Sequence, residues 1–339
     1  MSFKQSVKQF IKVNKIYRPF RQYFKGIGTI LALHRVVNSD LKNRIPDNAS
    51  MEVLPEYLEM VIKYFLDQKY EVITLDTFYD RITRSDIRKP FVCFTFDDGY
   101  IDNYEIVYPL FKKYELPFTI YVTNSFPNKT AVLWWYMLED LVLQNSRVEF
   151  EFEKKYTFQS ENLNNKISTW STIRQLILGC KIDLQNNLLT TIFNNYGIDP
   201  NDYMHLTLNW KQIKYLANDP LVTIGVHTLN HFNLKKLSSH KVNDEIINSK
   251  IELENKIGKK IEHFAYPFGT INEAGLREFE IAKSCNFKTM TTTREGNIFL
   301  EHKKYLERLP RISIGSNDMT DLEMKMSGIQ SLARKFFSK

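Results

Sequence analysis

The chain has 339 residues, 43% of them hydrophobic and 25% charged, which suits one large domain or two ordinary ones and excludes a disordered or fibrous protein. Its net charge of +7 is unevenly placed. No acidic residue precedes Asp40, whereas Lys4, Lys8, Lys12, Lys15, Arg18, Arg21, Lys25 and Arg35 all do, so the remaining chain is close to neutral and no nucleic-acid partner is expected.

No stretch approaches the ~18 apolar residues of a membrane span. Three scattered cysteines, Cys93, Cys180 and Cys285, make no disulfide framework and no CxxC pair. The first residues lack an apolar run with a small-residue cleavage site, so the expected address is the cytoplasm. Residues 2–25 set Phe3, Val7, Phe10 and Ile11 at helical spacing among lysines. Such a basic amphipathic helix suits the anionic inner face of a membrane, or packs its stripe on the body.

Along the chain, apolar runs alternate with helical patterns. Strands are expected at 28–37, 70–75, 91–96 and 118–123, with helices at 55–67 and about 102–113 between them. From about 130 to 212 the pattern changes to a helix opening at Trp134, a hairpin at 148–159, and helices near 172–179 and 184–195. This reads as an insertion whose aromatics either line a substrate groove or pack it onto the body. The βα order then resumes. Helices at 210–217, 241–256 and 272–284 alternate with strands at 221–226, 261–266, 287–292 and 309–314. The organisation expected is a basic segment 1–27, an α/β domain 28–315 carrying the insertion, and a basic tail 316–339.

Chemistry is expected where strands end. Asp97 and Asp98 follow the strand at 91–96, with Gly99 supplying a turn. Adjacent buried carboxylates repel unless a cation or proton intervenes. His227 and His231 follow the strand at 221–226, and at this spacing a helical turn would aim both rings at one point. With one aspartate they make a His₂-Asp metal set that leaves positions open. Phe264-Ala265-Tyr266-Pro267-Phe268-Gly269 ends a third strand in a rigid turn able to aim an N–H at an oxyanion. Arg311 opens the last strand, where an arginine is ordinarily a surface residue.

These three motifs, Thr95-Phe96-Asp97-Asp98-Gly99, then His227-Thr228-Leu229-Asn230-His231, then Tyr266-Pro267-Phe268-Gly269, resemble in type and order the polysaccharide deacetylase family, the NodB-homology or carbohydrate esterase 4 domain. The resemblance covers roughly residues 28–315 and is closest to the branch associated with bacterial surface polysaccharides. It implies a distorted (β/α)₇ barrel and metal-dependent removal of acetyl groups from sugars, with zinc the expected ion. By that resemblance Asp97 is the general base, and Asp98, His227 and His231 are the metal ligands. The N–H of Phe268, where the family usually has Tyr, is the oxyanion donor. The implied substrate is an N-acetylated hexosamine of a surface glycan or of its lipid-linked precursor.

Two departures stand out. The family arginine that braces the base falls at Ala265 here, leaving Arg311 or Arg294 to replace it. The late Leu-x-His that supplies the acid is missing. His302 is expected in an exposed loop, leaving His34 and His263 as candidates. Two other functions are weighed: an O-acetyl esterase or other amide hydrolase on the same site, and a non-catalytic glycan binder.

Overall fold

The computed structural model describes residues 10, 12–38, 44–86 and 88–328, apart from the side chains of residues 20–22. Most of the expected amphipathic stripe (Phe3, Val7, Ile11) and the end of the basic tail lie outside these.

Seven parallel strands carry the fold: β1 (Gly28–Leu33), β2 (Phe91–Phe96), β3 (Phe118–Val122), β4 (Val222–Val226), β5 (His263–Ala265), β6 (Thr289–Glu295) and β7 (Leu309–Ser313). They run β1-β2-β3-β4-β5-β6-β7 and close into a barrel. β1 pairs with β2 from Gly28–Phe91 to Leu33–Phe96, and with β7 at Leu31–Ile312. This is the expected (β/α)₇ architecture. The stretch expected as a strand at 70–75 is only a two-residue pairing, Glu71–Val72, in parallel along the edge of β2 at Phe91 and Val92.

Strands β1 to β4 read as largely apolar runs because both faces are covered. On β2, Val92, Phe94 and Phe96 face outward under the helices, while Phe91 and Cys93 point into the barrel with Ile30, Tyr121, Ala265 and Leu309. This period of two continues past the strand end. It turns Thr95 and then Asp97 inward, and on β7 it turns Arg311 inward two residues after Leu309. Gly225 on β4 makes room for the filling: a Cβ there would lie 2.4 Å from the Tyr121 ring.

The helix at Pro55–Asp67 matches its expected bounds. The one expected at 102–113 begins as a π-turn, Asn103–Val107, and continues as an α-helix over Tyr108–Lys113. The insertion has a core of its own. Helices Trp134–Gln144, Leu163–Gly179 and Ile182–Asn194 pack Met137, Leu141, Ile173, Ile177 and Ile192 together beside the hairpin Arg147–Phe152/Lys154–Gln159. Its second helix starts nine residues before the expected bound. Asn162 caps it by accepting from Asn165 N–H, so a polar first turn masks the apolar stripe.

Both flanks of the barrel domain are packed. Tyr17 is buried and its hydroxyl donates to Glu323 at 2.8 Å. Glu323 lies on the helix Met319–Met326, whose Leu322 and Met326 join the main core. Among the described residues no helix is long and apolar enough to cross a membrane.

Candidate active site

Asp97 and Asp98 sit at the carboxyl end of β2, and the backbone between them separates their tasks. Asp97 N–H donates to Leu33 O at 2.8 Å, holding the residue in register with β1. Asp98 then adopts φ 75°, a left-handed conformation uncommon for a non-glycine residue. The turn sends the two neighbouring carboxylates in different directions.

Asp97 points to Arg311. Nη1 donates to Oδ1 and Nη2 to Oδ2, each at 2.7 Å. The guanidinium is itself fixed: Nη1 also donates to Thr95 Oγ1 at 3.0 Å, and Nε donates to Thr292 O at 2.9 Å. Arg311 is therefore a fully buried side chain, contrary to the surface placement expected of it. The alternative brace, Arg294, is turned away, donating to Ala274 O and lying over the Phe279 ring. Ala265, where the family arginine is expected, has a side chain buried in the barrel interior. Burial alone would raise the Asp97 pKa, but Arg311 more than offsets it and holds the carboxyl below the usual range.

Asp98 points to the histidines. Its Oδ1 is 3.3 Å from His227 Nε2 and 3.3 Å from His231 Nε2. The segment joining the histidines is not helical, as the spacing would have required. Thr228 and His231 take φ of 67° and 57°, and His231 N–H donates to Thr228 Oγ1. Convergence comes from the loop's anchors. Asn124 N–H and Ser125 N–H donate to Thr228 O and Leu229 O. Glu245, a buried carboxylate on the helix Ser239–Ile257, accepts from Asn230 N–H and Nδ2 at 2.9 and 2.6 Å. Glu245 was not legible as a site residue. Its signal is an acid on the helix face that also carries Val242, Ile246 and Leu253.

The donor set fits a cation. One atom each from Asp98, His227 and His231 lies within 4.8 Å of the others. His227 Nδ1 faces Ala265 O at 2.8 Å, so Nδ1 carries the hydrogen and Nε2 the lone pair. Asp98 Oδ1 is buried, faces that lone pair, and accepts no hydrogen bond. Two imidazole nitrogens and a carboxylate oxygen are ligands of zinc and other first-row divalent ions.

His34, just past β1, brings its Nε2 to 4.0 Å from Asp97 Oδ2. Burial pushes its imidazole below the ordinary value, against the pull of Asp98 and Asp97. His263 is elsewhere: its Nδ1 meets Thr289 Oγ1 at 2.8 Å and its Nε2 lies 3.5 Å from Asp76. His302 is half-buried rather than exposed, and accepts from Phe299 N–H within a short 3₁₀ turn.

Phe268 takes φ 57°, and its ring lies 4.7 Å from that of His231. Its carbonyl accepts from Thr293 Oγ1, while its N–H has no acceptor among the described residues. Gly269 is required next to it, since a Cβ there would meet Thr293 N at 2.7 Å.

A cleft of about 610 Å³ opens over these groups. His34, Asp97, Asp98, His227, His231 and Phe268 all line it. Trp134, Trp135 and Trp170 of the insertion form its far wall, so these aromatics serve both the insert's core and the groove. Trp135 lies 6.0 Å from His231 and donates its indole N–H to Tyr100. A buried polar knot secures this wall. Arg44 donates to Glu139 at 2.7 and 2.8 Å and to Glu52 at 2.9 Å, and Asn48 Nδ2 donates to Glu139 and to Trp135 O.

Comparison with known proteins agrees with this architecture. A family model described as polysaccharide deacetylase matches residues 84–176 and 180–290. The chain is 35% identical over 274 residues to YxkH of Bacillus subtilis (strain 168), a protein named as a polysaccharide deacetylase, covering 80% of this chain and 69% of that one. Among solved structures it resembles the Streptococcus pyogenes deacetylase PplD in complex with acetate, with a TM-score of 0.58 and 20% identity over 88% of this chain and 97% of that one. It also resembles IcaB from Ammonifex degensii, with a TM-score of 0.55 and 16% identity over 88% and 96% of the two chains.

Proposed function

Since the chain belongs to the polysaccharide deacetylase family, we propose that it is a zinc-dependent hydrolase removing the N-acetyl group from a hexosamine. The hexosamine would belong to a bacterial surface polysaccharide or its lipid-linked precursor. The observation that carries this reading is the pairing of two differently held carboxylates. Asp98 converges with two histidine nitrogens, and Asp97 is kept ionised and oriented by Arg311 beside them.

Held by Asp98, His227 and His231, the metal would supply a Lewis acid for the acetyl carbonyl and for water. The chain's own groups divide the remaining work. Asp97 takes a proton from the attacking water, and Arg311 fixes its orientation. The Phe268 N–H donates to the oxyanion as the carbonyl becomes tetrahedral. His34, 4.0 Å from Asp97, gives a proton to the leaving nitrogen as the C–N bond breaks. Acetate and a free amine result. Trp135 and Phe268 shield the reacting centre from bulk water.

A second reading, an O-acetyl esterase on the same site, is favoured by the lowered pKa of His34. An alcohol leaves with less help from an acid than an amine does. A non-catalytic glycan binder is disfavoured, because binding alone gives no reason to bury an Asp97–Arg311 pair beside a metal site.

For location, we propose the cytoplasmic face of an anionic membrane. Phe10, Val13, Ile16 and Tyr23 are exposed on the basic N-terminal segment, and the Lys12, Arg18 and Tyr17 contacts to 318 and 323 tie that segment to the body. Sedimentation with phosphatidylglycerol vesicles but not phosphatidylcholine vesicles tests this; equal sedimentation with both contradicts it. The enzymatic reading is tested by acetate release from chitotetraose by the zinc-loaded chain. Release that persists in Asp97→Asn contradicts the mechanism.

A further inference from the structure

One wall of the cleft carries a charge that the deacetylation chemistry does not use. Trp170, Arg174 and Leu178 are spaced four apart on the helix Leu163–Gly179, so they share one face, and all three line the cleft. Trp170 is buried and its indole N–H faces Trp135 O at 3.5 Å, which ties it to the tryptophan beside His231. The Arg174 guanidinium lies over the Trp170 ring at 5.7 Å. Among the described residues Arg174 has neither a carboxylate partner nor a hydrogen-bond acceptor.

The other cations near this site are committed. Arg311 holds Asp97, Arg44 holds Glu52 and Glu139, and Lys325 on the cleft lining pairs with Asp321 and Glu295. The acids on the cleft lining beyond Asp97 and Asp98 are Asp47, Glu273 and Asp321. Glu273 accepts from Thr270, and Asp321 pairs with Lys325. Arg174 thus lines the cleft with its guanidinium over an aromatic ring and no carboxylate partner among the described residues. A guanidinium in such a cation–π contact keeps its N–H groups available for two parallel hydrogen bonds to a carboxylate or phosphate.

We infer that Arg174 is a specificity-determining residue that binds an anionic group, a carboxylate or a phosphate, on the glycan whose acetyl group is removed. This rests on the deacetylase reading and narrows it to an acidic glycan or one carrying a phosphate near the acetamido sugar.

The test uses the full chain loaded with zinc, with Asp97→Asn added so that bound sugar is not turned over. Three of the four tryptophans line the cleft, so intrinsic fluorescence reports binding. Two matched pairs separate the anion sources. Hyaluronan tetrasaccharide, which alternates glucuronate with N-acetylglucosamine, is set against neutral chitotetraose. N-acetylglucosamine 1-phosphate is set against its methyl glycoside. The anionic member of at least one pair should bind about tenfold tighter, as expected for one charge-assisted bidentate contact. Arg174→Gln should erase that ratio, and Arg174→Lys should restore part of it. Equal binding within both pairs, or equal weakening of both members by Arg174→Gln, overturns the inference. Acetate release by the chain with Asp97 intact separates the two claims. An Arg174-dependent preference without release leaves the subsite standing and removes the deacetylase reading. Release without any such preference does the reverse.

Discussion

Arg311 grips Asp97 with both terminal nitrogens, each bond 2.7 Å long, where neither side chain is more than 1% exposed. The two residues are 214 positions apart and come from different barrel strands. Removing one partner strands the other as a buried charge. Arg311→Met should therefore cost about 3–5 kcal/mol of folding stability. Urea unfolding measures this, and a loss below about 1 kcal/mol would mean that the pair is not structurally coupled.

Asp97→Asn keeps the size of the side chain and removes the base, at the cost of one Arg311 hydrogen bond and of that guanidinium's counter-charge. Zinc content by elemental analysis should match that of the parent, because Asp98, His227 and His231 are intact. Acetate release should fall by about 10²–10⁴-fold.

His227→Ala removes a ligand and its bond to Ala265 O. Zinc at 100 times its Kd should stabilise the parent chain by about 2.7 kcal/mol. A chelator should reverse this, and neither should move the melting temperature of His227→Ala.

Glu245 tests the support beneath the metal loop. Glu245→Leu removes the acceptor for both Asn230 hydrogens. Zinc affinity should fall about 10–100-fold, as happens when the support of a ligand is lost. A competition titration against a fluorescent zinc chelator reads this directly.

His34 gives the pH signature. If its protonated form serves the leaving nitrogen, N-acetyl hydrolysis falls as pH rises through the His34 pKa. Burial sets that value below the ordinary one of about 6.5. Ester hydrolysis should lack this descending limb. In His34→Gln the limb should disappear from the N-acetyl profile as well. Rate profiles on matched N- and O-acetyl sugars show whether it does.

How much of this was legible in the sequence depends on distance along the chain. The barrel was readable because most strands are local apolar runs and most are separated by a helix, the threonine-rich β6 being the exception. The residues that converge in the cleft were readable as candidates because each motif sits at a strand end. Arg311 was visible as a candidate but not as a buried one. Its inward direction follows from the strand parity that turns Leu309 inward, and its partner follows β2, which β1 separates from β7. The convergence of His227 and His231 was expected from a helical turn. It is achieved instead by left-handed residues and by Glu245, neither of which leaves a pattern at short range. The polar start of the helix Leu163–Gly179 concealed the face on which Trp170 and Arg174 stand.

The central claim is that a metal held by Asp98, His227 and His231 works with Asp97 to release acetate from an N-acetylated sugar. The most direct measurement is acetate release per bound zinc from N-acetylated tetrasaccharides, neutral and acidic, by the parent chain and by Asp97→Asn. Release by the zinc-loaded parent, none by the metal-free parent, and almost none by the zinc-loaded variant is the predicted result. Equal release by parent and variant, or no release from any of these sugars by the zinc-loaded parent, would contradict it.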